Sequence, residues 1–360
     1  MRREFQVKVV SSERIRSDGH RLDCGPYLSG AIEARELLKK YHTERLDKLT
    51  SGYNGGIFNG PRFARQYVDS TEHGVPFLGS TDILDADITH LPLISKKQVV
   101  STPELAIEKD WTLITCSGTI GRTAYSRIDM SGMAGSQHFM RVVPNSKKVL
   151  PGYLYSFLSG KFGVAIVVSG TYGAIIQHIE PQHLKDIPVP RLGVVEQEAH
   201  ELVQRAADLR VEANQLLKDI TEDLELEIGG GHPVVWEYRH VQSFAVATRT
   251  VSNLFERMDA FHYVGYVGEA IEKAAVPLVE VGTYAKALRP PIMKRNRVEE
   301  NGFEFLGGSE LVTFEYARVG ENRLSTIAHQ IVDDLEVEYQ APECCVVLRQ
   351  DMLPMATSAT

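Results

Sequence analysis

RLDCGPY (Arg21–Tyr27) and RMDAFHY (Arg257–Tyr263) are variants of one phrase within a single chain of 360 residues. A second pair follows in the same order, GVPFLGSTDI (Gly74–Ile83) and GFEFLGGSEL (Gly302–Leu311), at nearly the same separation. Repetition of two phrases in fixed order predicts one domain plus its connector duplicated in tandem. Two similar domains on one connector suit a molecule that reads two places at once. The second copy is shorter than the first, and a second connector helix is not found after it, so the sequence reads as incomplete at its C-terminal end.

The connector carries the clearest local signal. From Val195 the apolar positions run Val195, Ala199, Leu202, Ala206, Leu209, Ala213, Leu216 and Ile220, in alternating steps of four and three. This is a heptad seam, the spacing that lets one helix bury a stripe against another. The remaining positions are mostly charged or amide residues, and Glu201 with Arg205 has the favourable i,i+4 order. Gly229-Gly230-Gly231 and Pro233 stop the helix, which would be on the order of 40–50 Å long. Two uses of the seam are open. It could pack on its own domain, or it could be a coiled-coil spacer that pairs with a similar helix.

Either side of this connector the texture differs. Residues 1–20 are polar and read as an arm or strand. SGAIEARELLKKYH (residues 29–42) reads as a short helix. From Leu46, Gly-rich turns separate short apolar runs (VPFL, LPLI, WTLIT, FMRVV), which is strand-and-turn patterning. PGYLYSFLSGKFGVAIVV (residues 151–168) opens on a proline and suits one or two helices. HLKDIPVPRL (residues 183–192) closes the domain in extended backbone because of Pro188 and Pro190. The expected fold is α+β: a β-rich domain with helices over 1–192, a coiled-coil spacer helix over 193–230, and an incomplete second copy over 231–360. Phe77 and Leu78, and their counterparts Phe305 and Leu306, are expected in the cores.

Composition sets broad limits. Hydrophobic residues make up 43% and charged residues 24%, ordinary values for a globular protein. No run of about 18 apolar residues suggests a membrane span, and the four cysteines lack CxxC spacing, so reduced thiols and a cytoplasmic location are expected. The net charge of -8 argues against a general nucleic-acid coat, while leaving room for a local basic groove.

Five phrases in order, GGIFNGPRFARQY (Gly55–Tyr67), VPFLGSTDI, WTLITCSGTIGRTAY (Trp111–Tyr125), SGTYGAIIQHIEPQHLKDIPVPRL (Ser169–Leu192) and the EQEAHELVQRA helix, resemble the specificity subunit of type I restriction-modification systems. The resemblance spans roughly residues 20–320. It implies two target-recognition domains separated by spacer helices, each domain reading half of a split site in double-stranded DNA. It also implies a subunit that is itself non-catalytic and without a cofactor. Methyltransferase subunits that use S-adenosylmethionine and motor-nuclease subunits that use ATP and Mg would be its partners. With the second helix missing, pairing of the spacer with a second copy of the chain is a further expectation.

The residues suited to DNA contact follow from their chemistry. In CSGTIGR, Arg122 can grip guanine O6/N7 or a phosphate, and Ser117 and Thr119 can donate to phosphate oxygens; the same phrase serves equally as a tight turn between strands. In SGTYGAIIQ, Thr171, Tyr172 and Gln177 are candidates, glutamine being suited to adenine N6/N7; a core aromatic and a helix start are the plainer reading. Arg62 and Arg65, with Tyr67, could hold the DNA backbone or form a solvated face. Lys96-Lys97 and Lys147-Lys148 are weaker candidates at loop tips.

Phosphate-cradling, zinc-protease and nucleophile-elbow motifs are not found. His178, Glu180 and His183 match no standard metal spacing and read as structural, so no metal is expected. Two other functions stay open: a coiled-coil protein-interaction or dimerisation module, and a hydrolase using Cys116 or Ser117 with His138 as its base.

Overall fold

The computed structural model describes residues 7–17, 20–85, 87–118, 120–171, 178–232 and 274–285, and the pairs 297–298, 303–304 and 323–324. The chain divides into two compact units, the first built mainly on residues 1–216 and the second from residue 217 onward.

The first unit opens with three helices, α1 (Ser12–Ser17), α2 (Gly25–Leu28) and α3 (Ala31–Leu38), so part of the expected arm is helical. Then come β1 (Thr43–Arg45), α4 (Leu46–Leu49), β2 (Ile57–Asn59), β3 (Tyr67–Val68), β4 (Gly74–Leu78), β5 (Leu93–Ser95), α5 (Lys96–Ser101), β6 (Thr112–Thr115), β7 (Thr123–Tyr125), β8 (Ala134–Gly135) and β9 (Phe139–Val142). The unit continues through α6 (Pro151–Ser159), α7 (Lys161–Ser169), α8 (Pro181–Lys185) and β10 (Pro188–Pro190) into the long α9 (Val194–Ile228). His183–Lys185, expected to be extended, is helical. Pro181 sits in the first turn of α8, where the missing N–H costs nothing, and Glu180 and His183 close a capping box.

Two four-stranded sheets form the centre, in the orders β2-β9-β6-β7 and β3-β5-β4-β8. The first is antiparallel throughout; in the second, only β4 and β8 run parallel. Alternation along the strands divides the core. Ile57, Met140, Val142 and Ile114 face the helical layer and pack with Leu38, Leu154, Leu158, Ile166 and Leu184. Leu113 and Phe139 point the other way, to Leu78, Ile83, Ile107 and Met130. Phe77, Ile94, Leu105 and Ala134 fill a third cluster within the second sheet. Each fully buried Leu, Ile or Phe contributes about 1.5–3 kcal/mol. Phe77 and Leu78 are core residues, as expected from the repeat.

One polar side chain is set inside this core. Arg141 is fully buried on the Leu113 face of β9. Its guanidinium donates to the carbonyls of Gly135 (2.8 Å), Leu105 (3.1 Å) and Ser136 (3.3 Å) and lies against the rings of Phe139 and Phe58. Burial lowers its pKa to about 10, so it remains a cation at neutral pH. The bonds tie β9 to β8 and to the turn that precedes β9.

Helix α9 is 35 residues long, about 50 Å, and ends at Ile228 beside the glycine run. In the second unit the described strands β11 (Arg297–Val298), β12 (Phe303–Glu304) and β13 (Arg323–Leu324) form an antiparallel sheet in the order β11-β13-β12. β12 falls at the place in the repeat where Val75–Pro76 lie in β4. Phe305, Leu306 and the Arg257–Tyr263 phrase lie outside the described residues.

Candidate nucleic-acid interface

Three backbone segments meet at the end of β6. Cys116 N–H donates to the His138 carbonyl (2.9 Å), and Ile179 N–H donates to the Cys116 carbonyl (3.2 Å). Ser117 and His178 form a β-bridge. Ser117, His138 and His178 are thereby brought side by side. Arg62 and Arg65, exposed on the loop after β2, lie close enough to act electrostatically on His138. Partial burial, then the charges of Arg65, His178 and Arg62, hold His138 below the ordinary histidine range. Arg65 is braced from beneath, its guanidinium 4.9 Å from the centre of the Phe77 ring. Gln137, next in the chain, shares a 3.1 Å hydrogen bond with the His138 ring.

The structure thus collects three of the eight residues expected to touch DNA, Arg62, Arg65 and Ser117, and adds Gln137, His138 and His178. The sequence singled out His138 and His178 only for other roles and carried no signal for Gln137, because the pairing of β6 with β9 and the Ser117–His178 bridge make them neighbours. Arg122 and Thr171 are held by other contacts. Arg122 follows Gly121 in the β6–β7 hairpin, where a β-carbon on Gly121 would come within 2.7 Å of Val168 in α7. Arg122 is paired to Thr115 through its backbone, and its Nε is buried with no hydrogen-bond partner. Thr171 ends α7, its hydroxyl donating to the Val168 carbonyl and its own carbonyl accepting from Arg21. Thr119, Tyr172 and Gln177 lie outside the described residues. Lys96 and Lys148 are held by the carbonyls of Glu72 and Lys48.

Helix α9 departs from the simpler expectation. It does pack on its own domain, but through a polar stripe rather than through the seam. Glu196 accepts from both arms of Arg191 (3.1 and 3.0 Å) and from the Leu192 N–H (2.7 Å), while Arg191 also binds Glu44. His200 Nδ1 accepts from Gly152 N–H (3.1 Å). Gln204 donates to Asp110 (3.1 Å) and to the Tyr125 hydroxyl, and Asn214 donates to Asp129 (3.0 Å). Glu196, Ala207 and Asn214 are the buried positions. The seam faces outward: Leu202 is 64% exposed, Leu209 56%, Leu216 54% and Ile220 62%. Val195, Ala206 and Ala213 are exposed too, and Ala199 is half-buried against the core. Next to Val195 and Ala199 an apolar groove of about 330 Å³ is lined by Leu37, Tyr41, Phe157 and Phe162.

The hydrolase reading is not favoured, and its Cys116 form fails on chemistry. Cys116 is buried, burial pushes its thiol up to about 12, and the sulfur donates to the Gln137 carbonyl rather than to a base. The Nδ1 of His183 accepts from the Glu180 N–H inside the α8 cap, so that ring is a structural one. Among the described residues no single helix is long and apolar enough to cross a membrane; the bent pair α6–α7 has the composition but contributes to the core.

No family model matches the chain. A stretch of 158 residues, 43% of this chain, is 27% identical to the Type I restriction enzyme EcoBI specificity subunit of Escherichia coli. Over this stretch the chain resembles a type I restriction specificity subunit. The matched stretch spans 33% of that relative's length. Two solved type I S subunits are also similar. The one from M. genitalium has a TM-score of 0.36 at 16% identity, over 53% of this chain and 45% of that one. The HsdS subunit from Thermoanaerobacter tengcongensis has a TM-score of 0.31 at 12% identity, over 58% and 49%.

Proposed function

We propose that this chain is the DNA-sequence-reading subunit of a type I restriction-modification assembly, with no catalytic role of its own. The observation that carries this reading is the pair of exposed arginines, Arg62 and Arg65, near His138 on a chain whose net charge is -8. A confined basic edge on an acidic protein attracts a polyanion at one place and leaves the rest of the surface repulsive. The relative's name supports the same reading. In this function residues 1–192 read one half of a split site, and 231–360 belong to a second recognition domain. Methyltransferase subunits with S-adenosylmethionine, and motor-nuclease subunits with ATP and Mg, perform the chemistry.

The outward seam of α9 is the partner face, and its pattern favours an antiparallel mate of the same sequence. Alanine and a larger residue alternate along it. Antiparallel pairing of two copies sets Ala199 against Leu216, Leu202 against Ala213 and Ala206 against Leu209, so these layers all have one width. Parallel pairing would stack alanine on alanine and leucine on leucine, alternating narrow and wide. The antiparallel register also brings Arg205 opposite Glu212 of the second copy.

The test is selection from a random duplex library with the full chain, followed by binding at rising salt. Enrichment of a short fixed motif, with affinity falling steeply as salt rises, supports the reading. A folded protein that enriches nothing at low salt leaves the seam, and a protein-interaction role, as its function.

A further inference from the structure

We propose that Gln137 is a base-reading side chain of the first domain, aimed by His138 at an adenine. This rests on the DNA-reading function above and assigns a residue to it.

The first support is a fixed backbone. Arg141 donates to the carbonyls of Gly135 and Ser136. Ser136 N–H donates to the Leu78 carbonyl (2.9 Å), and His138 N–H donates to Ser136 Oγ (3.3 Å). Cys116 closes the segment from the other side, its N–H on the His138 carbonyl and its sulfur on the Gln137 carbonyl (3.6 Å). Strands β4, β6 and β9 therefore hold this turn, and a side chain leaving it starts from a rigid base.

The second support is the side-chain pair itself. The Gln137 amide nitrogen lies 3.1 Å from His138 Nε2. In the arrangement proposed here the amide donates to the ring nitrogen, with the His138 proton on Nδ1. The low proton affinity that partial burial and then its cationic neighbours impose is consistent with that state. One amide hydrogen is committed to the ring. With the hydrogen anti to the oxygen given to the ring, the syn hydrogen and Oε1 are left for a base edge. That is the donor–acceptor pair which meets adenine N7 and N6–H in the major groove. Gln137 is half-buried, while Arg62 and Arg65 on the neighbouring loop are exposed, suited to the phosphates that flank such a base.

The experiment is the same library selection run on the full chain and on Gln137→Ala, His138→Ala and Arg62→Ala/Arg65→Ala, each first checked by thermal melting. Gln137→Glu serves as the near-isosteric form should the alanine variant fail to fold. The wild-type motif is expected to contain an A·T position at which Gln137→Ala loses about tenfold in discrimination, with the other positions unchanged. His138→Ala loses part of the same preference and keeps the salt dependence. The arginine pair weakens binding to all sequences and flattens the salt dependence. Placing 7-deazaadenine at that position should cost the wild type about as much as Gln137→Ala and cost the variant nothing further. A motif unchanged in Gln137→Ala, or in Gln137→Glu if that is the variant that folds, overturns the assignment and leaves DNA reading intact. Absence of any motif in the wild type overturns the function and this inference with it.

Discussion

Gly152 in α6 lies so close to His200 in α9 that a β-carbon added to it would fall 2.9 Å from the His200 carbonyl oxygen and 2.8 Å from its ring nitrogen. The backbone N–H of Gly152 reaches that nitrogen directly. Glycine here is what lets the two helices approach. Gly152→Ala is expected to push α9 outward and destabilise the first unit by about 1–3 kcal/mol. A melting temperature equal to wild type would show that the helices separate at no cost.

Glu196 anchors the first turn of α9 and gives the fold an acid-sensitive joint. Burial alone would raise its pKa; the Arg191 hydrogen bonds and the Leu192 N–H outweigh that and leave it below the ordinary glutamate value. A carboxylate with a depressed folded pKa contributes fully above its unfolded value, near about 4.3, and the contribution fades as pH falls through the lower folded value. Glu196→Gln should therefore cost about 1–3 kcal/mol at neutral pH, with the gap from wild type narrowing below about pH 4. Denaturation of both proteins across that range decides the matter, and a gap independent of pH would remove the charge from the explanation.

The seam can be interrogated by cysteine pairing. With antiparallel partners, a chain carrying Ala206→Cys and one carrying Leu209→Cys should cross-link efficiently when mixed and oxidised, because the two positions share a layer. Leu209→Cys alone should link to itself poorly. The reverse pattern would indicate parallel helices, and no linkage in either case would mean that two copies do not meet here. Leu202→Gln with Leu216→Gln should leave the melting temperature nearly unchanged, since both side chains are already in water, and should abolish self-association.

Arg141→Lys should cost about 2–4 kcal/mol despite conserving charge. A lysine ammonium cannot span the Gly135, Leu105 and Ser136 carbonyls as the planar fork does. The companion effect to measure is DNA discrimination, because the same carbonyls hold the turn that presents Gln137. A variant with wild-type stability would show that the three bonds are dispensable.

The length and end of α9 were readable from its period and from Gly229, because heptad spacing and a glycine stop are local properties. Which face it turns inward was not. Gln204 and Asn214 look like ordinary surface residues until Asp110, Tyr125 and Asp129 are brought opposite them, and those arrive from distant strands and loops. Hydropathy reports how much a side chain avoids water; it carries no information on a polar residue whose partner is 79 to 94 positions away. The same limit hid Gln137 and the pairing of His138 with it, whose setting depends on the β6–β9 register. The cap of α8 was a different case: Pro181 at a helix start is a local cue, overshadowed by the two prolines that follow.

Glu196, Gln204 and Asn214 fasten α9 at intervals over about five turns, and this fixes an angle as well as a position. A helix held only by a greasy stripe can roll a little; one held by paired polar groups is keyed like a shaft in its hub. The remaining turns of α9 inherit that azimuth. Adding one residue there would swing the remainder through about 100°, whereas adding seven would return it to within about 20°. The far end of the helix is thus indexed in rotation, and changes in its length act as a dial as much as a yardstick.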